Sequence, residues 1–263
     1  MLGWPVAHSR SPQMQQAALA AAGYDGYTYQ RLPVPPHLFA ETVRALPGAG
    51  FVGANATIPH KESALAVATG ATDVARAIGA ANTLTFADGS IEADNTDAPG
   101  LIAALPGPPP RTALVLGAGG SARAAAWALR DADAEVRVHN RTAERATALA
   151  HDLGVTATER LEPADLLVNC TAVGLDDPDA SPVQSIDWPV VVDLVYGERE
   201  TALVRAAKAA GATTVDGLEI LVRQGALSFE RWTGTPAPLE AMRAAVRPPG
   251  EAVKRPVHHG HGN

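Results

Sequence analysis

The chain has 263 residues, 46% of them hydrophobic and 19% charged, and a formal net charge of −7. That length can hold one large or two modest domains with proper cores, and the acidic balance argues against a nucleic-acid binder. No apolar run reaches the roughly 18 residues that cross a bilayer, and the lone cysteine, Cys170, excludes an intrachain disulfide or a Cys-cluster metal site. The opening Met1-Leu-Gly-Trp-Pro-Val6 has neither a basic nor a long apolar region, so no secretory signal is expected. These bounds fit a soluble, cytoplasmic enzyme for a small molecule, with no metal, membrane or nucleic acid.

In chain order, the first informative stretch is Gly3-Trp-Pro-Val-Ala-His8-Ser9-Arg10-Ser11-Pro12, ahead of a helical run from Gln13. Ser11 and Pro12 suit the N-cap and first position of that helix. Ser9 has no such local reason, and two hydroxyls beside a helix N-terminus also make a carboxylate receptor. Both readings stand. In Gly53-Ala-Asn-Ala-Thr57-Ile-Pro59-His-Lys61-Glu62, Pro59 and Glu62 fit a first helical turn, whereas Lys61 opposes the positive end of its dipole. It is either an exposed lysine paired with Glu62 or solvent, or a lysine aimed into a cleft for proton transfer. Turns at Gly79-Ala-Ala-Asn82-Thr-Leu84 and Asp94-Asn-Thr-Asp97-Ala-Pro99-Gly100 supply amides and carboxylates, and Asp97 is also readable as a helix cap.

Pro106-Gly-Pro-Pro-Pro110-Arg111 cannot continue a helix or lie in a central strand, and reads as a stiff linker. Beyond it, the apolar run Ala113–Leu116 ends in Gly117-Ala-Gly119-Gly-Ser-Ala122 and enters an alanine-rich helix. Strand, glycine turn and helix in that order suit a dinucleotide: Gly117 for the tight turn, Gly119 for close approach of a pyrophosphate, Ala122 for helix–strand packing. The next strand, Ala134–His139, is followed by Asn140-Arg141-Thr142-Ala-Glu-Arg145. An NAD site places a carboxylate here, about 20 residues past the glycines. This chain has Asn140 and two arginines instead, which either solvate a helix end or bind a 2′-phosphate. Cations oppose a helix N-terminus, so NADP is the expected cofactor.

Further strands are expected at Leu166–Asn169 and Val190–Val195, with helices over Ile220–Trp232 and Pro238–Val246. Strand-like runs alternate with helical ones on both sides of the linker, which points to α/β architecture with parallel sheets. The tail from Arg247 to Asn263, rich in Pro, Gly and His, reads as disordered, with His258, His259 and His261 offering at most adventitious metal binding.

Taken together, the stretches GWPVAHSRSP, GANATIPHKE, GAANTL, DNTD, GAGGSARA, NRTAER, NCTAVGL and DGLEILVRQGALSFERWTG stand in family order, and the chain closely resembles the shikimate dehydrogenase family from Gly3 to about Val246. The resemblance implies a two-domain α/β fold with a cleft between the domains. Residues 1–100 would form a substrate domain completed by about 217–246, and residues 101–216 a Rossmann NADP-binding domain. The implied activity is NADP-linked, reversible reduction of 3-dehydroshikimate to shikimate, in a monomer or homodimer. A quinate-preferring or dual enzyme is one alternative. The other is a non-catalytic ligand sensor, which is expected to lack Lys61 or Asp97.

Carried over by motif, Lys61 and Asp97 would be the catalytic pair, and Ser9 and Ser11 would hold the substrate carboxylate. Thr57 and Asn82 would bind ring hydroxyls, with Tyr196 and Gln224 completing the pocket. Gly117, Ala118, Gly119, Gly120 and Ser121 would cradle the pyrophosphate, and Asn140, Arg141, Thr142 and Arg145 the 2′-phosphate. Leu194 and Gly217 would lie near the nicotinamide, approached by Asp73 from the other domain. Two departures stand out. Only Met1 and Leu2 precede Gly3 where the family has a longer strand, so either a start upstream or a frayed sheet beside Leu2 and Gly3 is expected. Gln15 or Gln16 replaces a frequent histidine, a minor change.

Overall fold

The computed structural model describes residues 1–247. The expected tail therefore lies outside the described residues, apart from Arg247 itself.

The N-terminal lobe is built on short strands. β1 (Leu2–Gly3) runs parallel to β2 (Leu32–Pro33), and a parallel bridge from Leu2 to Ala56 sets β1 beside the end of β3 (Gly53–Asn55). With β4 (Gly70–Ala71), β5 (Thr83–Ala87) and β6 (Ser90–Asp94), β3 forms a sheet in the order β3-β5-β6-β4. Leu2 is fully buried. Its carbonyl accepts from the Thr57 N–H at 2.9 Å, and the Leu32 N–H donates to Met1 O at 2.8 Å. The fraying expected beside Leu2 and Gly3 is absent among the described residues, because β1 lies between two partners and is not an edge.

This sheet is mixed, which corrects the expectation of parallel sheets throughout. β5 pairs antiparallel with both β3 and β6, and only β4 runs parallel to β6. The β5–β6 pairing follows from a two-residue turn, Asp88-Gly89, with φ of 49° and 76°, the double positive φ that matches the twist of a tight hairpin.

Helices α1 (Ser11–Ala21), α2 (Phe39–Ala45), α3 (Lys61–Val67), α4 (Asp73–Ile78) and α5 (Asp97–Ala104) complete the first hundred residues. Leu2, Phe39, Val43 and Leu84 anchor the core under α2 and α3.

After the proline-rich loop, β7 (Thr112–Leu116), α6 (Gly120–Asp131), β8 (Glu135–His139), α7 (Ala143–Leu153), β9 (Thr156–Ala157), β10 (Leu166–Asn169), β11 (Val190–Asp193), α8 (Ala202–Ala209) and β12 (Thr213–Val215) form the second lobe. All its pairings are parallel, in the order β12-β11-β10-β7-β8-β9. β7 and β10 are buried nearly throughout, as strands covered on both faces must be. The strand order reverses between β7 and β10, and such a switch point opens a crevice beyond the strand C-termini. Gly117 and Cys170 stand there.

The chain then returns. α9 (Gly217–Thr233) and α10 (Leu239–Val246) pack against α1, burying Met14, Leu218, Val222, Phe229 and Met242 together. The fit is tight: a Cβ at Gly225 would collide with the Met14 side chain, and one at Gly100 would stand 2.9 Å from Gln224 Cβ. Gln15, on α1, is buried and donates to the Gly225 carbonyl at 2.8 Å. α9 thus crosses to the first lobe and brings Gln224 to the cleft.

Candidate active site

Lys61 opens α3 and is buried, not an exposed lysine paired with Glu62. Its Nζ donates to Asp97 Oδ2 at 2.7 Å and to Ser121 Oγ, across the cleft, at 2.8 Å. Asp97 is the first residue of α5 and does not cap it. Asn95 Oδ1 takes the Asp97 and Ala98 N–H groups at 3.1 and 3.3 Å, which leaves the Asp97 carboxylate for the site. Its Oδ1 accepts from Asn82 Nδ2 at 2.9 Å.

The Asn82 amide is fixed. Its Oδ1 takes the Thr96 N–H at 2.8 Å, and its Nδ2 also reaches Gln224 Oε1 at 3.2 Å. Gln224 in turn donates from Nε2 to the Leu221 carbonyl at 2.6 Å. The protein's own bonds thereby assign acceptors and donors around the cavity, the preorganisation that polar recognition needs.

Ser9 and Ser11 are both buried. α1 begins at Ser11, Arg10 occupies the N-cap position, and no side chain caps the helix, so of the two readings left open for Ser11 the capping one fails by one residue. Instead Ser9 Oγ donates to Ser11 Oγ at 3.2 Å and accepts the Ser11 N–H at 3.3 Å. Tyr196 stands nearby on the loop after β11. Burial pushes its phenol pKa up, against the opposing pull of Ser9, Arg10 and Arg31.

The cavity between the lobes holds about 150 Å³. Ser9, Thr57, Lys61, Asn82, Asp97, Ser121, Leu194, Tyr196, Gly217 and Gln224 all line it. Ser11 stands just behind Ser9. Sequence reasoning missed Asn55 and Cys170, which also line it. Asn55 is a buried amide in an otherwise apolar strand, which was a readable signal. It accepts from Tyr29 OH at 2.7 Å and donates to Ser228 Oγ at 2.9 Å. Cys170 follows β10 at the switch point, and burial pushes its thiol well above the usual range.

The glycine turn can be read residue by residue. Gly117 has φ +111°, and a Cβ there would stand 3.2 Å from the Cys170 carbonyl. Ala118 follows, half-buried. Gly119 is extended and holds the N-cap position of α6, where no side chain serves as cap. A Cβ on it would meet no protein atom within 4 Å, so nothing in the protein demands glycine there, and the space before the uncapped N–H groups of α6 is open to a ligand. Gly120 accommodates the Lys61 stem, and Ala122 is fully buried against the sheet.

At the end of the neighbouring strand β8, Asn140 Nδ2 donates to the Thr142 carbonyl at 2.9 Å. Thr142 is the N-cap of α7 without a side-chain bond to it. Arg141 and Arg145 are exposed, and among the described residues neither guanidinium has a hydrogen-bond or ion-pair partner. These features fit a phosphorylated dinucleotide. Leu194 and Gly217 touch: a Cβ on Gly217 would stand 2.5 Å from Leu194 O. Asp73 is not brought into this set. Its side chain is fully exposed and pairs with Arg76 at 3.5 Å. Among the described residues no group of three His, Cys, Asp or Glu could hold a metal ion, and no helix is long and apolar enough to cross a membrane.

Comparison with known proteins places the chain in a family. Residues 1–84 match the model of the shikimate dehydrogenase substrate binding domain, 108–174 that of shikimate / quinate 5-dehydrogenase, and 217–247 that of the shikimate 5'-dehydrogenase C-terminal domain. An NADP(+) shikimate dehydrogenase of Anaeromyxobacter sp. is 43% identical, over 96% of each chain. One of Halobacterium salinarum is 44% identical, over 94% of this chain and 97% of the other. The shikimate 5-dehydrogenase of Thermus thermophilus, solved in complex with NADP(H) and shikimate, is 44% identical with a TM-score of 0.86, covering 93% of this chain and 96% of that one. With 43–44% identity to these relatives over more than nine-tenths of its length, and the same fold as the solved one, the chain belongs to the shikimate dehydrogenase family.

Proposed function

We propose that this protein is an NADP-dependent shikimate dehydrogenase, reversibly reducing 3-dehydroshikimate to shikimate on the route to chorismate. The observation that carries the reading is the buried Lys61–Asp97 pair, facing Ser121 of the glycine turn across the cleft. Gly117, Ala118, Gly119, Gly120 and Ser121 would hold the pyrophosphate, Asn140, Arg141, Thr142 and Arg145 the 2′-phosphate, and Leu194 and Gly217 the nicotinamide. Bound there, NADPH supplies a hydride for the carbonyl carbon of the substrate.

Reduction leaves negative charge growing on the carbonyl oxygen, which must be stabilised and then protonated. The Lys61 ammonium does both, and Asp97 fixes its direction. In the reverse direction the neutral Lys61 amine takes the hydroxyl proton. Asn82 steadies Asp97 through its Nδ2 and, with Thr57 and Gln224, offers partners to ring hydroxyls. Ser9, Ser11 and Tyr196 receive the carboxylate. Asp73 has no part in this scheme, since its side chain stands in solvent. The reading carries with it a cytoplasmic monomer or homodimer, with size-exclusion chromatography deciding between the two.

Steady-state oxidation of shikimate and of quinate, each with NADP and with NAD, tests the proposal. The expected result is a kcat/KM for shikimate with NADP well above the other three combinations. A higher value for quinate, or for NAD, overturns the corresponding half of it.

A further inference from the structure

The corner formed by Ser9, Ser11 and Tyr196 consists of hydroxyls, which are neutral and accept a hydrogen-bonding group of either charge. The chain as a whole carries −7, which disfavours an approaching anion. Two guanidiniums flank this corner. Arg31 donates from Nε and Nη2 to the Ser9 carbonyl at 3.0 and 2.6 Å, and its Nη2 reaches Gln13 Oε1 at 3.4 Å. Arg10 donates to the carbonyls of Gly197, next to Tyr196, and of Val246, both at 2.7 Å. Among the described residues, neither has a carboxylate within 4 Å. Their charge is therefore not spent on an internal ion pair.

Arg31 is the more closely placed of the two with respect to Ser9. A two-pronged hold on one carbonyl fixes the peptide that presents the Ser9 hydroxyl, which a single donor does less rigidly. The Ser9 N–H is held from the other side by the Val6 carbonyl at 3.1 Å. Ser9 is thus clamped at both its backbone groups, and only one of the clamps is charged.

We propose that Arg31 is a specificity-determining residue: it positions Ser9 and makes this corner of the cleft select an anionic substrate. The inference rests on the reading that the corner receives a carboxylate. Arg31 touches no substrate in this scheme and acts through Ser9 and through its field, so it is a positioning residue and not a catalytic one. A purely structural staple would have the same bonds to Ser9 but no preference for charge.

Arg31→Gln keeps an N–H donor for the Ser9 carbonyl and removes the charge, whereas Arg31→Lys keeps the charge with a single-pronged hold. The measurement is KM for shikimate, with saturating NADP, from low to high ionic strength. In the unaltered protein KM rises with salt, because the nearby Arg31 charge outweighs the distant net −7 at this corner and added ions screen that attraction. Arg31→Gln raises KM about 5- to 20-fold at low salt, flattens the salt dependence, and lowers kcat by far less. Arg31→Lys retains most of the salt dependence. If Arg31→Gln keeps the full salt dependence, or if kcat falls as much as KM rises, the inference is wrong and Arg31 is only a staple. If the unaltered protein does not oxidise shikimate at all, the functional reading fails instead, and the two failures are told apart in the same assay.

Discussion

A Cβ on Gly120 would stand 2.7 Å from the Cβ of Lys61, so the glycine turn of one lobe and the lysine of the other fit together only because the turn has no side chain there. The G-x-G-x-x-A pattern does not ask for glycine at this position; the opposite lobe does. Gly120→Ala must push the Lys61 stem or part the lobes. A shift of about 1 Å at a reacting group can cost about 10²-fold, so kcat should fall about 10- to 100-fold, with a thermal midpoint near that of the parent. Values of kcat within twofold of the parent would show that the lysine yields without consequence.

The two arginines after β8 lead to a cofactor prediction. Arg141→Ala should weaken NADP binding far more than NAD binding. A hydrogen bond to a charged group contributes about 1.5–3 kcal/mol, or roughly 10- to 150-fold in the dissociation constant. Titration of both cofactors against the purified variant decides it, and equal losses for the two would remove Arg141 from the phosphate site.

How much of this was legible in the sequence depends on how local each signal is. The glycine turn was readable because strand, turn and helix are consecutive, and Gly117 and Ala122 have the roles that order implies. Capping was left open at both Ser11 and Asp97, because a cap pattern is a one-residue-precise signal read from a pattern that tolerates slips. Asn95, two residues before Asp97, supplies the bonds instead. The Asp88-Gly89 hairpin was written plainly between two alternating runs and lost to the general α/β expectation. What no local pattern carries is the approach of Gln224 to Asn82, at 3.2 Å and 142 positions apart. That depends on α9 crossing between lobes, and the family resemblance, not periodicity, pointed to it.

His60 precedes Lys61 and leads to a prediction about pH. It is buried, stacks on Phe39 with centroids 4.3 Å apart, and its Nε2 lies 2.8 Å from the Val34 carbonyl. Burial holds its pKa below the ordinary 6.5, more than the bond to Val34 raises it. The unfolded chain therefore takes up the proton first, so stability is full above about pH 6.5 and is lost as pH falls toward the lower folded-state value. Urea unfolding from pH 7.5 to 5.5 should show this loss in the parent and a flatter profile in His60→Gln. Parallel profiles would mean that His60 does not contribute to the acid side.

The heaviest prediction concerns Lys61 itself. If its ammonium protonates the developing alkoxide, Lys61→Met should lower kcat by about 10²–10⁴-fold. NADP affinity should barely change, because the groups expected to hold the cofactor belong to the other lobe, apart from the single bond to Ser121. Shikimate affinity should change modestly, since Ser9, Ser11, Asn82 and Gln224 remain. Asp97→Asn should bring a similar loss. The pair is joined at 2.7 Å, and groups that act as a unit are far from additive. The double variant should therefore retain much more activity than the product of the two single losses. Removing one partner of a buried pair also leaves a buried charge alone, so circular dichroism and a thermal midpoint must accompany each rate. A folded Lys61→Met with near-parental kcat would take the proton-donor role away from this lysine and leave it as a structural link between the lobes.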